Sequence, residues 1–345
     1  MFGKLVSAVA AFGLVLGVSF TAEAKKPKSE CVEPKTGKFL ITPEHELKMV
    51  TLAPQGSEWS KQFTKWSDEV LEESDCKVYL KWYFNSSNEQ SILDELKNGV
   101  KHGAAMTATG LSAIDVNFLL FQMPGAYANW PELDKYREAG KADIEKRFND
   151  KGFVILGAGD IGAAKIMTVS GPARTPKDFA GKGVFHLPGD VIAPKLLAQI
   201  PGAIGKPMVL TEVSTHLGKD IEVLTTAPFV AEQLQWASKV NHVTLITPAF
   251  AAGALVIKKE KLEALGEANR ELLFKTGKHY GNELTKNIRQ FDAAALANMK
   301  KSKNVVELTP AEAAEWDEVF KKTRAAVKGL FDPGLWNKLL PENKR

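Results

Sequence analysis

From residue 47 onward, short apolar runs rich in β-formers alternate with stretches of helical period, and this alternation restricts the fold more than any other feature. Residues 47–53 read as a strand. Pro54-Gln55-Gly56-Ser57 is a turn that ends on an N-cap serine, and Glu58 suits a first helical turn. Trp59, Phe63, Trp66 and Val70 follow at steps of four, three and four, which is one face of a helix. A strand at 78–84, a helix at 89–98 closed by Gly99, and a strand at 104–107 complete a strand-helix-strand-helix-strand unit. That order implies a parallel sheet with helices on its faces, an α/β fold.

Pro124, Gly125 and Pro131 interrupt the pattern. A polar helix at 132–149 and strands at 153–156 and 165–170 lead into a second series. This has a strand at 183–186, a helix at 191–199, a strand at 208–210 and a short helix at 213–217. A strand at 222–225, a helix at 229–236, an extended stretch at 243–245 and a return strand at 254–257 follow. Two series in one chain imply two lobes, here 46–163 with about 252–300, and 164–251. Residues 25–45, with Pro27, Pro34, Gly37 and Pro43, read as a polar leader with little structure of its own. Residues 267–300 carry an apolar stripe (Leu273, Tyr280, Leu284, Ile288, Phe291, Ala295, Met299) that suits one helix about 50 Å long, enough to span both lobes. Gly277 and Gly281 suggest a bend in it. Residues 301–345 read as a helical C-terminal segment packed on the lobes, with Thr309 capping a helix and Pro310 at its first position.

The first 24 residues have the pattern of a cleavable export signal. Lys4 precedes an apolar run at 5–20, shorter than a spanning helix needs, and Ala22-Glu23-Ala24 is a small-x-small site with cleavage expected after Ala24. No cysteine follows that point closely, so a lipoprotein signal is excluded. The expected location is an oxidising compartment outside the cytoplasm, where Cys31 and Cys76 are a candidate disulfide pair; two free thiols are the alternative.

Several function classes find no support. The net charge is only +4 and the basic residues are scattered, so no nucleic-acid footprint is present. The six histidines have no ligand spacing, and neither a metal nor a cofactor is expected. Gly157-Ala158-Gly159-Asp160-Ile161-Gly162 matches a dinucleotide fingerprint in letters, but it runs into another strand where the motif must open a helix. Its glycines read instead as a hinge between lobes.

In open α/β sheets, ligands sit beyond the carboxyl ends of the strands. That rule selects Gln55 and Trp59 after the first strand, Asn85 after the second, and Thr107 and Thr109 after the third. In the second lobe it selects Phe185, His186, Asp190, Thr226, Pro228, Phe229, Gln233 and Trp236. Core packing is the competing reading for Trp59, Phe229 and Trp236. Catalysis would need a nucleophile-base pair, such as Ser57, Thr109 or Thr226 with His186 or His216, and none stands in a recognisable motif.

Four segments resemble the solute-binding subunits of tripartite ATP-independent periplasmic (TRAP) transporters. They are 51–59 (Thr-Leu-Ala-Pro-Gln-Gly-Ser-Glu-Trp), 177–185 (Lys-Asp-Phe-Ala-Gly-Lys-Gly-Val-Phe), 210–217 (Leu-Thr-Glu-Val-Ser-Thr-His-Leu) and 226–236, followed by Lys239-Val240. The resemblance implies a periplasmic-binding-protein-like fold, with two α/β lobes around a cleft, joined by crossing strands and a long spanning helix. It implies a small organic solute in that cleft, integral membrane subunits as partners, a monomer or weak dimer, and no catalysis. Most members of that family place an arginine on the second-lobe strand to grip a ligand carboxylate; Phe185 stands at that position here. Lys165, near a second frequent arginine position, is expected to face solvent. The missing arginine points to a solute more hydrophobic than a C4-dicarboxylate. A carrier or sensor of an apolar molecule without its own transporter and, further off, an exported hydrolase are the alternatives.

Overall fold

The computed structural model describes residues 26–345; the expected export signal lies outside them. Among the described residues eleven strands form two sheets: β1 (His45–Thr51), β2 (Val78–Tyr83), β3 (Gly103–Thr107), β4 (Phe153–Ala163), β5 (Lys165–Thr168), β6 (Gly183–His186), β7 (Ile204–Pro207), β8 (Val223–Thr226), β9 (His242–Thr244), β10 (Phe250–Lys258) and β11 (Asn304–Val306). The first sheet runs β2-β1-β3-β10-β4 and the second β11-β9-β5-β8-β6-β7. β1 pairs in parallel with β2 and β3, as the strand-helix alternation requires, while β10 runs antiparallel to β3 and β4.

Local chemistry accounts for the first unit. Ser57 accepts a hydrogen bond from the Ser60 N–H and starts the helix Glu58–Glu73. Phe63, Trp66 and Val70 on its face are buried against Leu47, Met49 and Leu80 of the sheet. Asn88 caps Glu89–Lys97, whose Ile92, Leu93 and Leu96 enter the core on the sheet's other face. The second lobe packs Met167, Leu224, Trp236 and Val243 on one side and Ile166, Val184, Phe179 and Trp316 on the other.

Two crossings join the lobes. β4 passes into β5 through Ala164, and the chain returns through residues 245–249 into β10. The Ala164 N–H donates to the Ala249 carbonyl at 2.9 Å, so the two crossings are bonded side by side. The helix Gly266–Ser302 spans both lobes, from Leu273 in the first core to Met299 in the second.

The structure corrects several expectations. Of the glycines expected at a hinge between lobes, Gly157 and Gly159 lie inside the eleven-residue strand β4, while Gly162, with φ 141°, sits at its end beside the crossing. A Cβ on Gly157 would come within 2.3 Å of the Gly277 carbonyl oxygen, and one on Gly281 within 2.7 Å of the Ala158 oxygen. These glycines bring the spanning helix close to the sheet, and the helix is continuous through Gly277 and Gly281. The strand expected at 208–210 is displaced to β7, and Leu210 begins the helix Leu210–His216. The leader is tied down: Lys28–Cys31 is a helical turn, Val32 bridges Phe39, and Cys31 is bonded to Cys76. The C-terminal segment is not wholly helical, because β11 extends the second sheet before the helix Pro310–Val327 begins. Trp316 and Phe320 then pack in the second lobe and Trp336 and Leu339 in the first, so this segment straps one lobe to the other. Among the described residues no helix is long and apolar enough to cross a membrane.

Candidate functional site

A cavity of about 330 Å³ lies between the lobes, within the size range of small-molecule sites. The ends of β1 and β3 supply Thr51 and Thr107, the turn after β1 supplies Leu52, Ala53 and Pro54, and the helices that follow, Glu58–Glu73 and Ala108–Ser112, supply Trp59 and Thr109. β6 and β8 supply Phe185, His186 and Thr226 from the opposite lobe, as the carboxyl-end rule for open sheets expects. Leu187, Asp190, Ile192, Leu196, Val230, Leu234 and Trp236 extend that wall.

Most of the lining is apolar. The Phe185 ring meets Trp236 edge-on with centroids 5.4 Å apart. Among the described residues no arginine or lysine side chain lines the cavity. Lys165, expected to face solvent, is instead 9% exposed and donates to the Thr247 hydroxyl at the crossing. Burial holds its pKa below the ordinary lysine value. Its ammonium therefore braces the two crossing segments, and the residue is absent from the cavity wall.

The three carboxyl groups that line the wall, among the described residues, differ in how they are held. Asp190 accepts from the Ile192 and Ala193 N–H groups at 2.8 and 2.9 Å. Asp160 has a side chain with no exposed surface; it accepts from Arg137 and, at 2.6 Å, from Arg289, which also grips Asp134 through two bonds of 2.6 and 2.7 Å. The guanidinium of Arg289 lies over the Trp130 ring at 4.4 Å. The charge of Asp160 is thus met from behind the cavity. Glu89 differs. Its Oε1 accepts from the Thr107 N–H at 2.8 Å, but Oε2 is buried with no partner. Burial pushes its pKa up to about 7.

The candidates from the strand ends divide into two groups. Trp59, Thr107, Thr109, Phe185, His186, Asp190, Thr226 and Trp236 line the cavity. Gln55, Asn85, Pro228, Phe229 and Gln233 do not. Gln55 and Asn85 are exposed and bonded to each other, the Gln55 N–H donating to Asn85 Oδ1 at 3.3 Å. Asn85 has φ 58°, a turn conformation that asparagine tolerates, so its place is explained locally. Phe229 and Gln233 touch the other lobe: the Phe229 ring packs on Trp59, and Gln233 Oε1 accepts from the Glu58 N–H at 3.3 Å. Pro228 starts the helix Pro228–Gln233 that positions both. His216, weighed as a base, pairs with Asp220 at 2.7 Å and is absent from the cavity wall.

Sequence reasoning missed Glu89 and Asp160. Glu89 reads as an ordinary acidic residue in a first helical turn. Asp160 sits inside the glycine-rich stretch whose letters suggested a nucleotide motif. The signal for Asp160 was available: a carboxylate in the middle of a buried strand needs cationic partners.

Beneath the crossings, Asp292 of the spanning helix accepts from the Ala163 N–H at 2.9 Å and from the Phe229 N–H at 3.0 Å. One carboxylate therefore holds both the crossing strand and the second-lobe helix. Burial raises its pKa, with the two backbone donors opposing. Gly162, at φ 141°, leaves the room this contact needs, because a Cβ there would meet the Ala227 methyl at 2.4 Å.

Known proteins share this architecture. A periplasmic solute-binding protein of a TRAP transporter from Ralstonia eutropha, bound to (S)-2-acetolactate, superposes with a TM-score of 0.78 at 19% identity, over 85% of this chain and 97% of that one. The corresponding proteins from Desulfovibrio desulfuricans with sn-glycerol-3-phosphate (TM-score 0.77, 18% identity, 85% and 95% covered) and from Sulfurospirillum deleyianum with succinate (0.76, 16%, 86% and 99%) are similarly close. No curated protein matches the chain. The sequence model of the bacterial extracellular solute-binding proteins of family 7, DctP, matches residues 49–328. With most of the chain covered by that model, and two lobes enclosing a small-molecule cavity, the chain belongs to the family 7 bacterial extracellular solute-binding proteins.

Proposed function

We propose that the chain is exported to the periplasm after cleavage at Ala24, captures a small organic solute between its lobes, and delivers it to TRAP-type membrane subunits without chemical change. We further propose that this solute is more apolar than a C4-dicarboxylate. The observation that carries the second point is the cavity wall: Phe185, Trp236 and aliphatic side chains dominate it, and no lysine or arginine lines it among the described residues. The relatives named above were found with acetolactate, succinate and glycerol phosphate, all anions. Burying an anion without a cationic partner is costly, so this wall disfavours such ligands. Closure around the solute works by differential affinity: whatever binds both walls stabilises the closed arrangement, which the membrane subunits then recognise.

A thermal-shift screen tests the reading. Aromatic and branched aliphatic solutes should raise the melting temperature, and succinate and uronic acids should not. Phe185→Arg should reverse the order. Stabilisation of the wild type by succinate equal to that by every apolar solute would refute the apolar assignment.

A further inference from the structure

The cavity wall carries one polar feature that the fold leaves unfinished. Glu89 Oε2 and Thr107 Oγ1 are both buried, both belong to residues lining the cavity, and neither has a hydrogen-bond partner. Buried polar atoms in folded proteins are nearly always paired, so two together at a ligand cavity call for an explanation. The Thr107 side chain sits close enough to the carboxyl to oppose the rise that burial causes in its pKa, but its geometry falls short of a hydrogen bond. Gly110 leaves room for the carboxyl where it lies, since a Cβ there would fall 2.3 Å from Oε2. The other carboxylates of the wall are engaged, Asp160 by two arginines and Asp190 by two backbone N–H groups.

We infer that Glu89 and Thr107 form the polar anchor of the solute site, and that the solute is an apolar molecule bearing a protonated nitrogen. This rests on the solute-binding reading above and adds the ligand's charge to it. A rotation of the Glu89 carboxyl and the Thr107 hydroxyl toward the cavity would let a primary ammonium donate to Oε2 and Oγ1, completing both atoms with charge-assisted bonds. A carboxylate ligand would set like charges together in a largely apolar cavity that offers no cation. A neutral alcohol could complete one atom but would not compensate the buried carboxylate. The apolar wall formed by Phe185, Trp236 and Trp59 receives the body of the molecule, and an aromatic face also suits a cation nearby.

The test uses the full mature protein and three probes of matched shape: 2-phenylethylammonium, 2-phenylethanol and 3-phenylpropionate. Binding is followed by calorimetry at a pH near 7.5. The expected result is ammonium binding about tenfold or more tighter than either other probe. Glu89→Gln should remove that preference, bringing ammonium binding down to the level of 2-phenylethanol, because the side-chain shape is kept and the charge is lost. If Glu89→Gln does not fold, Thr107→Val supplies the check, and several-fold weaker ammonium binding is expected. Binding of 3-phenylpropionate or 2-phenylethanol as tight as that of the ammonium overturns the inference and leaves the solute-binding reading intact. An ammonium preference that survives Glu89→Gln, or Thr107→Val where that variant stands in, also overturns it. Absence of binding by all three overturns the inference together with the apolar assignment.

Discussion

Trp59 of the first lobe and Phe229 of the second meet across the cleft, with ring centroids 5.0 Å apart and planes inclined by 50°. The two residues are far apart in sequence, and their contact exists only when the lobes are together. Phe229 is further clamped by Phe291 of the spanning helix at 5.2 Å. An aromatic pair of this kind contributes about 0.5–1.5 kcal/mol beyond its buried area. Phe229→Leu keeps an apolar plug but loses the pair, so solute affinity should fall about fivefold through a less populated closed state. Titration by tryptophan fluorescence measures this, and unchanged affinity would show that the pair does not govern closure.

Asp292 governs the same contact from below, because its two oxygens hold the N–H groups of Ala163 and Phe229. Asp292→Ala would leave two buried donors unpaired and should cost about 2–4 kcal/mol in urea unfolding. Asp292→Asn retains one acceptor and should cost less. Equal stability of all three proteins would place the hinge elsewhere.

Glu89 predicts the pH dependence of stability. Its pKa is about 7 in the fold against an ordinary 4.5. Between these values the folded chain keeps a proton that the unfolded chain has released, so its contribution is full below about pH 4.5 and is lost as the pH rises to about 7. The groups packed on it are Thr107 and Gly110, and the other titratable residues of the wall, Asp160, His186 and Asp190, have their own partners. Glu89→Gln should flatten the decline across that window and gain up to about 3 kcal/mol at pH 8 relative to wild type. Parallel pH profiles for the two proteins would contradict a buried, uncompensated carboxyl.

The Cys31–Cys76 bond closes a loop with a sequence separation of 45 residues. On the chain-entropy account it contributes up to about 4 kcal/mol, by restricting the unfolded chain. Cys76→Ser should lower the melting temperature, and a reductant should lower that of wild type to match. Two titratable thiols in the unreduced protein would show that the bond does not form.

Much of the fold was legible because its determinants are local. The caps at Ser57 and Thr309, the Trp59-Phe63-Trp66-Val70 face and the stripe from Leu273 to Met299 each sit within a few residues of what they control. Where the sequence misled, the cause was contact between distant segments. Gly157 and Gly281 look like flexibility until the helix is seen pressed on β4. Lys165 looks like a surface residue until Thr247 is brought beside it by the return crossing. The strand-end rule found Phe185, His186 and Thr226 because sheet topology alone puts them at the cleft. It could not separate wall from latch, since Phe229 and Gln233 follow the same strand but reach across to Trp59 and Glu58. Glu89 escaped it because an unpaired oxygen is a property of packing and leaves no trace in the residue order.

The central claim is that the cleft holds a small organic solute. Mass spectrometry of the mature protein purified from its own periplasm, first under native conditions and then after organic extraction, tests it most directly. The account predicts one small molecule per chain, released on extraction, carrying an apolar body and a basic nitrogen. A protein that carries no small molecule under native conditions, and gains none when incubated with periplasmic extract, would contradict it.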